Sequence, residues 1–130
     1  EDGWILVLLD ADDDCPAELA AQIMERARAC VAHRRISVVL ANREYEAWFI
    51  AAAASLHGQR GFTFDPADTI DAETLRDAKG WVGSRLPSGT YREATDQPAF
   101  SARMDLQLAF DRSRSFRKLS GEWDRQAEVA

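Results

Sequence analysis

The sequence predicts an α/β domain, a parallel sheet flanked by helices and followed by an α-rich C-terminal part. Three observations predict it. Residues 4–9 are an uninterrupted apolar run of strand length that ends in Asp10-Ala11-Asp12-Asp13-Asp14, and such a run suits a strand buried on both faces. Ala20, Ile23, Met24, Ala27, Cys30 and Val31 recur at three- and four-residue spacing, the stripe of an amphipathic helix. Residues 36–41 form a second, β-branched apolar run, so strand, helix and strand make a βαβ unit that is parallel and right-handed. Both strand ends then lie on one edge, where open α/β sheets place their ligand sites.

The first helix starts at Pro16, with Asp14 or Cys15 as its cap, and runs to about His33. After the second strand, Asn42, Arg43, Glu44, Tyr45 and Glu46 lead through Trp48 and Phe49, read as core, into an Ala-rich helix over 51–56. Residues 62–71 read as an irregular loop containing Asp65-Pro66, and residues 71–75 as the start of a short helix. The glycines of Lys79-Gly80-Trp81-Val82 and Leu86-Pro87-Ser88-Gly89 mark a second irregular connection and form no phosphate-binding signature. One further helix carries Phe100, Met104, Leu106, Leu108 and Phe110, and residues 120–130 read as a weak helix or tail. A lone His57 at a helix end is thin ground for a catalytic base.

The chain has 130 residues, 46% hydrophobic and 29% charged, which is enough for one domain with a real core. The expectation is a single unit over 1–130. No run approaches the ~18 apolar residues of a membrane span and no signal-peptide pattern precedes the first strand, so the expected location is the cytoplasm, with no membrane partner. Cys15 and Cys30 match no zinc or redox pattern, and Cys30 falls on the apolar helix face as a core residue. The net charge of −6 hides an asymmetry: residues 1–20 carry seven acids and no base, whereas residues 76–118 carry nine Lys or Arg against five Asp or Glu. That pairing suits a metal-assisted enzyme acting on a phosphorylated polyanion, although basic residues that only solvate helices give the same count.

Asp10, Asp12 and Asp14 alternate, so an extended backbone would project all three carboxylates to one side, where they repel. Solvation, raised pKa values or a bound cation must compensate, and hard oxygen ligands favour Mg²⁺, Mn²⁺ or Ca²⁺. Glu44 and Glu46 arrive at the same edge. Two apart where a helix begins, they diverge; Glu46 is the stronger candidate to face the aspartates, leaving Glu44 to a helix N-terminus or a structural bond. An EF-hand loop counted from Asp10 would need glycine and glutamate where Cys15 and Ala21 stand, so that reading fails. A haloacid-dehalogenase-type phosphatase, with Asp10 as nucleophile and Asp12 as acid, is weakened by Asp14. The acid pair of sugar transferases is too short a signature to argue from.

Several motifs together resemble one family. Residues 7–16, residues 40–49, Lys79-Gly80-Trp81, Tyr91-Arg92-Glu93, Asp96-Gln97 and Ser115-Phe116-Arg117-Lys118-Leu119 look like the domain-of-unknown-function 4276 family, regarded as Toprim-like. The resemblance covers nearly the whole chain. It implies a Toprim-like (Rossmann-like) parallel sheet, with Asp10, Asp12 and Asp14 as ligands of Mg²⁺ or Mn²⁺ and Glu46 or Glu44 as a further acid. Toprim domains also carry a glutamate after an earlier strand, commonly assigned as general acid/base, and this sequence offers no counterpart; the expectation is a domain truncated at its N-terminus.

The function expected is nuclease-like phosphodiester hydrolysis, with Asp10, Asp12 and Glu46 as catalytic acids and nucleic acid as substrate. Lys79, Arg92, Arg114, Arg117 and Lys118 are candidate phosphate contacts; Lys79 could equally pair with an acid of the site, and Arg117 could anchor the last helix. The rival is a non-catalytic Toprim-like module that binds a partner protein such as an ATPase. Oligomeric state is not legible.

Overall fold

A computed structural model describes residues 3–68 and 70–129; Glu1, Asp2, Thr69 and Ala130 lie outside the described residues, so neither end of the expected 1–130 unit is among them. Strands β1 (Trp4–Asp10) and β2 (Arg35–Ala41) pair in parallel, in register from Trp4 opposite Arg35 to Asp10 opposite Ala41. Helix α1 (Pro16–Cys30) connects them. Its residues Leu19, Ala20, Ile23 and Met24 pack on Ala11, Val38 and Leu40, so one face of the sheet is covered. Cys30 lies beyond this contact and is exposed, which corrects its placement in the core. The α1 N-cap is Cys15, with no side-chain cap bond.

The strands differ in burial. β2 is buried from Ser37 to Ala41, whereas β1 has no buried residue and exposes Ile5 (38%) and Leu9 (49%). The sequence reads β1 as buried on both faces. Instead it is the outer strand of a two-stranded sheet, with one hydrogen-bonded neighbour among the described residues, and its apolar run exceeds what α1 and the C-terminal helices cover.

The larger core forms around α2 (Ala47–Ala51), every residue of which is buried. A 3-10 turn, Ala53–Leu56, follows, so the Ala-rich stretch is two short pieces and not one helix. Trp48 and Phe49 are core residues; Phe49 meets Phe100 edge-on at 5.6 Å, and Phe100 meets Phe62 at 5.8 Å. Residues 71–75 make a turn and not a helix.

Helix α3 (Ala78–Ser84) forms where glycines suggested a loop. Asp77 accepts from Gly80 N at 2.9 Å and starts it. A Cβ on Gly80 would meet Asp77 Oδ2 at 2.1 Å, and one on Gly83 would meet Tyr91 N at 3.0 Å. These glycines permit close approach, the opposite of a flexible connection.

Helices α4 (Glu93–Ser101) and α5 (Leu106–Arg112) divide what the sequence reads as one helix. Asp105 divides them, accepting from Gln107 N (2.8 Å) and Leu108 N (3.2 Å) to restart the second. Helix α6 (Arg114–Val129) is a full helix and no tail. Buried Glu122 ties it to β2 by accepting from Ser37 Oγ at 2.8 Å, while Lys118 and Arg125 also hold that carboxylate. Trp4 donates to Ser37 at 2.9 Å and packs on Trp123 at 5.5 Å. The chain is thus mixed α/β, with a small parallel sheet and six α-helices among the described residues. None of those helices is long and apolar enough to cross a membrane.

Candidate functional site

The carboxyl edge of the sheet is stitched together by backbone. Ala11 N donates to Ala41 O at 3.1 Å, and Asp12 N donates to Arg43 O at 2.8 Å, joining the loops that leave β1 and β2. Asp12 (φ 51°) and Arg43 (φ 64°) are both left-handed. A non-glycine residue held there costs on the order of 1–3 kcal/mol, and such strain gathers at functional edges. The turn also ends the alternation that an extended chain would give the aspartates. Asp14 N closes a turn onto Ala11 O at 3.0 Å, and its side chain is exposed.

Asp10 is half-buried at the end of β1, and its Oδ1 accepts from Tyr45 N at 2.8 Å. Burial pushes its carboxyl above the ordinary value; the Tyr45 amide opposes this, the Glu46 and Asp12 charges add to it, and Lys79 offsets part. Of the predicted acids, Asp10, Asp12 and Glu46 therefore share one electrostatic neighbourhood. Glu44 is coupled to it through Glu46 and Lys79. Asp13 makes an exposed pair with Arg43 at 3.6 Å, which contributes little.

Glu44 and Glu46 diverge. Glu44 Oε2 accepts from Ala78 N at 2.7 Å, at the first residue of α3. Burial also raises its carboxyl, and the Ala78 amide partly restrains the rise. Glu46 is fully buried (0% exposed). Its Oε1 accepts from Tyr91 Oη at 2.8 Å and from Gln97 Nε2 at 3.1 Å, while Oε2 is buried with no hydrogen-bond partner among the described residues. Leaving such an acceptor unmatched costs about 1–3 kcal/mol. The Tyr91 hydroxyl is pushed far up, first by burial and then by its bond to Glu46 and the surrounding acids, so it stays a donor.

The predicted cations separate. Lys79 lies among the acids and pairs with Glu93 Oε1 at 2.5 Å; that bond, with the Glu46 and Glu44 charges, raises its ammonium despite some burial. Arg92 is exposed between Tyr91 and Glu93, which both reach the cluster. Arg114 and Lys118 line a groove of about 550 Å³ between α1 and α6 that begins at Asn42. Lys118 also pairs with Glu122 at 2.8 Å. Arg117 is placed elsewhere, its guanidinium donating to Phe110 O (2.7 Å) and Asp111 O (3.3 Å) at the end of α5. His57 accepts from Phe64 N at 3.0 Å within its own loop.

Tyr91 and Gln97 are the site residues to which sequence reasoning gave no role. Both lie in the motifs quoted for the family resemblance, but their shared partner is visible only in three dimensions.

A hard divalent cation suits this donor set in part. Asp10 and Glu46 are acceptor-only oxygens near one another, and Glu46 Oε2 is an orphan that a cation would satisfy. Among the described residues, no three His, Cys, Asp or Glu side chains stand grouped as a ready cage.

No curated protein and no solved structure matches this chain. The profile of one family, described as Domain of unknown function (DUF4276), matches residues 1–122. With nearly all of its length matched, the chain belongs to the DUF4276 family.

Proposed function

We propose that the carboxyl edge of the sheet is a Mg²⁺ or Mn²⁺ centre for phosphodiester hydrolysis on nucleic acid, in a Toprim-like domain. The observation that carries this reading is Glu46, a fully buried carboxylate with one unpartnered oxygen, close enough to Asp10 to perturb it. A βαβ unit with acids at both strand ends supports the Toprim-like placement. Asp10 and Glu46 hold the ion, with Asp12 as a contributor from the exposed turn. The ion, when bound, polarises a phosphodiester and supplies an activated water. Tyr45 N orients the Asp10 carboxylate, exposed Arg92 is the candidate contact for substrate phosphate, and Lys79 is held beside the acids by Glu93. Two exposed, free thiols, Cys15 and Cys30, suit a reducing cytoplasm.

A second reading has its own observation. Lys79 bears on Asp10, Glu44 and Glu46 and pairs with Glu93, an internal compensation that suits a non-catalytic module binding a partner such as an ATPase. Metal dependence separates the two. Calorimetry is expected to show Mn²⁺ binding that Asp10→Ala with Asp12→Ala removes; unchanged binding in the double variant ends the metal reading. Metal-dependent nicking of plasmid DNA or cleavage of RNA is expected of the active protein, and inactivity on both, with metal bound, favours the binding module.

A further inference from the structure

We infer that Tyr91 and Gln97 are positioning residues of this centre, clamping one oxygen of Glu46 so that Oε2 alone is presented to a divalent cation. The inference rests on the metal reading above and adds to it the pair that aims the ligand.

Both donors reach the same atom: Tyr91 Oη is 2.8 Å and Gln97 Nε2 3.1 Å from Glu46 Oε1. Neither serves Oε2. A carboxylate kept only for structure would spread its donors over both oxygens, because each can accept and burial removes water from both. Here one oxygen is doubly held and the other is left bare in a neighbourhood containing Asp10 and Glu44. Lys79, the nearby cation, makes its bond to Glu93. Among the described residues nothing serves Oε2, and a divalent cation is the partner that this inference supplies.

The clamp is itself braced. Gly83 approaches so closely that an added Cβ would lie 3.0 Å from Tyr91 N. Asp96 accepts from Arg92 N at 2.8 Å and pairs with Arg60, fixing the start of the helix that carries Gln97. Tyr91 and Gln97 thus reach Glu46 from a turn and a helix that are locked to one another. Partners of this kind, one bond removed from a metal, set ligand orientation and commonly change metal affinity ten- to a hundredfold when lost.

The test is Mn²⁺ titration of the full chain, by calorimetry and by the electron paramagnetic resonance spectrum of the bound ion. Tyr91→Phe keeps the ring and removes the donor; Gln97→Leu keeps the volume and removes the other. Each is expected to weaken Mn²⁺ binding about tenfold or more and to alter the spectrum at saturation, whereas the metal-free melting temperature falls because a buried acceptor loses a donor; the altered spectrum of the bound ion is the readout that a merely structural role would not move. Binding and spectrum identical to the unmodified protein in either folded variant would overturn the clamp and leave the metal reading intact. Absence of Mn²⁺ binding by the unmodified protein would overturn both. The two donors come from different elements, so a variant that does not fold leaves the other to decide.

Discussion

Burial and the Glu46 and Asp12 charges raise the Asp10 carboxyl above its ordinary value, outweighing the Tyr45 amide and Lys79. Glu44 is raised in the same direction. A group whose value is higher in the folded than in the unfolded chain contributes stability below its unfolded value and loses it as pH rises through the folded one. These two carboxylates therefore oppose folding at neutral pH. Glu122 has the opposite sign: burial alone would raise it, but the Lys118 bond, the Ser37 hydroxyl and Arg125 outweigh burial and lower it. Its contribution is present above about 4.5, the ordinary value, and is lost as pH falls through the folded value. Urea unfolding of the metal-free protein, followed downward in pH, is expected to show a midpoint that first rises, as Asp10 and Glu44 protonate in the folded chain, and then falls below the ordinary carboxylate range as Glu122 protonates. Asp10→Asn keeps an acceptor for Tyr45 N and removes the charge, so it should raise the neutral-pH midpoint and flatten the first limb. A midpoint that falls steadily from pH 7, alike in both proteins, contradicts this account. Which acids mattered was partly legible, since a strand end crowded with aspartate is visible in sequence. That Asp14 stands exposed beyond a tight turn was not legible, because the turn depends on Asp12 adopting a left-handed backbone.

Helix signals failed where polar or glycine residues carry the packing. Periodic hydrophobicity gave α1 its place, whereas α6, whose Phe116, Leu119 and Trp123 also fall at helical spacing, is tied to β2 by the buried carboxylate of Glu122, which no apolar pattern announces. Removing the carboxylate by Glu122→Ala leaves Ser37 Oγ without its acceptor and releases two largely exposed cations. The expected loss is about 1–3 kcal/mol, measured by urea unfolding; a change within error would mean that the apolar contacts of α6 suffice. At α3, glycines were read as a loop, although Gly83 is where the helix comes within reach of the Tyr91 backbone. Gly83→Ala gains helix propensity, worth about 1 kcal/mol at an exposed site, but its methyl meets Tyr91 N, and overpacking costs about 1–3 kcal/mol. The net expectation is lower stability together with weaker Mn²⁺ binding, because the displaced residue holds Glu46. Higher stability with unchanged binding would show that the turn yields without moving the site.

At the scale of the whole molecule, the parallel βαβ unit and the shared strand edge were legible because apolar runs and helical spacing are local signals. The outer position of β1 among the described residues was not, since an apolar run reads the same whether or not another strand lies beside it. Charge is the other global property, and it constrains the proposed activity. A chain with a net charge of −6, whose candidate centre is lined by Asp10, Asp12, Glu44 and Glu46, repels a polyanion from the very edge where reaction is proposed. The cations able to draw phosphate in are few: Lys79 is engaged by Glu93 and Lys118 by Glu122, while Arg117 is held by backbone carbonyls. Arg92 and Arg114 remain exposed. Nucleic-acid binding should therefore require the divalent ion. Fluorescence anisotropy with a short labelled DNA or RNA is expected to show binding with Mn²⁺ and none in EDTA. In Mn²⁺, Arg92→Ala and Arg114→Ala should each weaken binding and reduce the slope of log affinity against log salt by about 1. Arg117→Ala should lower stability and leave that slope alone. Equal binding in EDTA would mean that phosphate is held away from the acidic edge and would separate nucleic-acid affinity from the proposed metal centre.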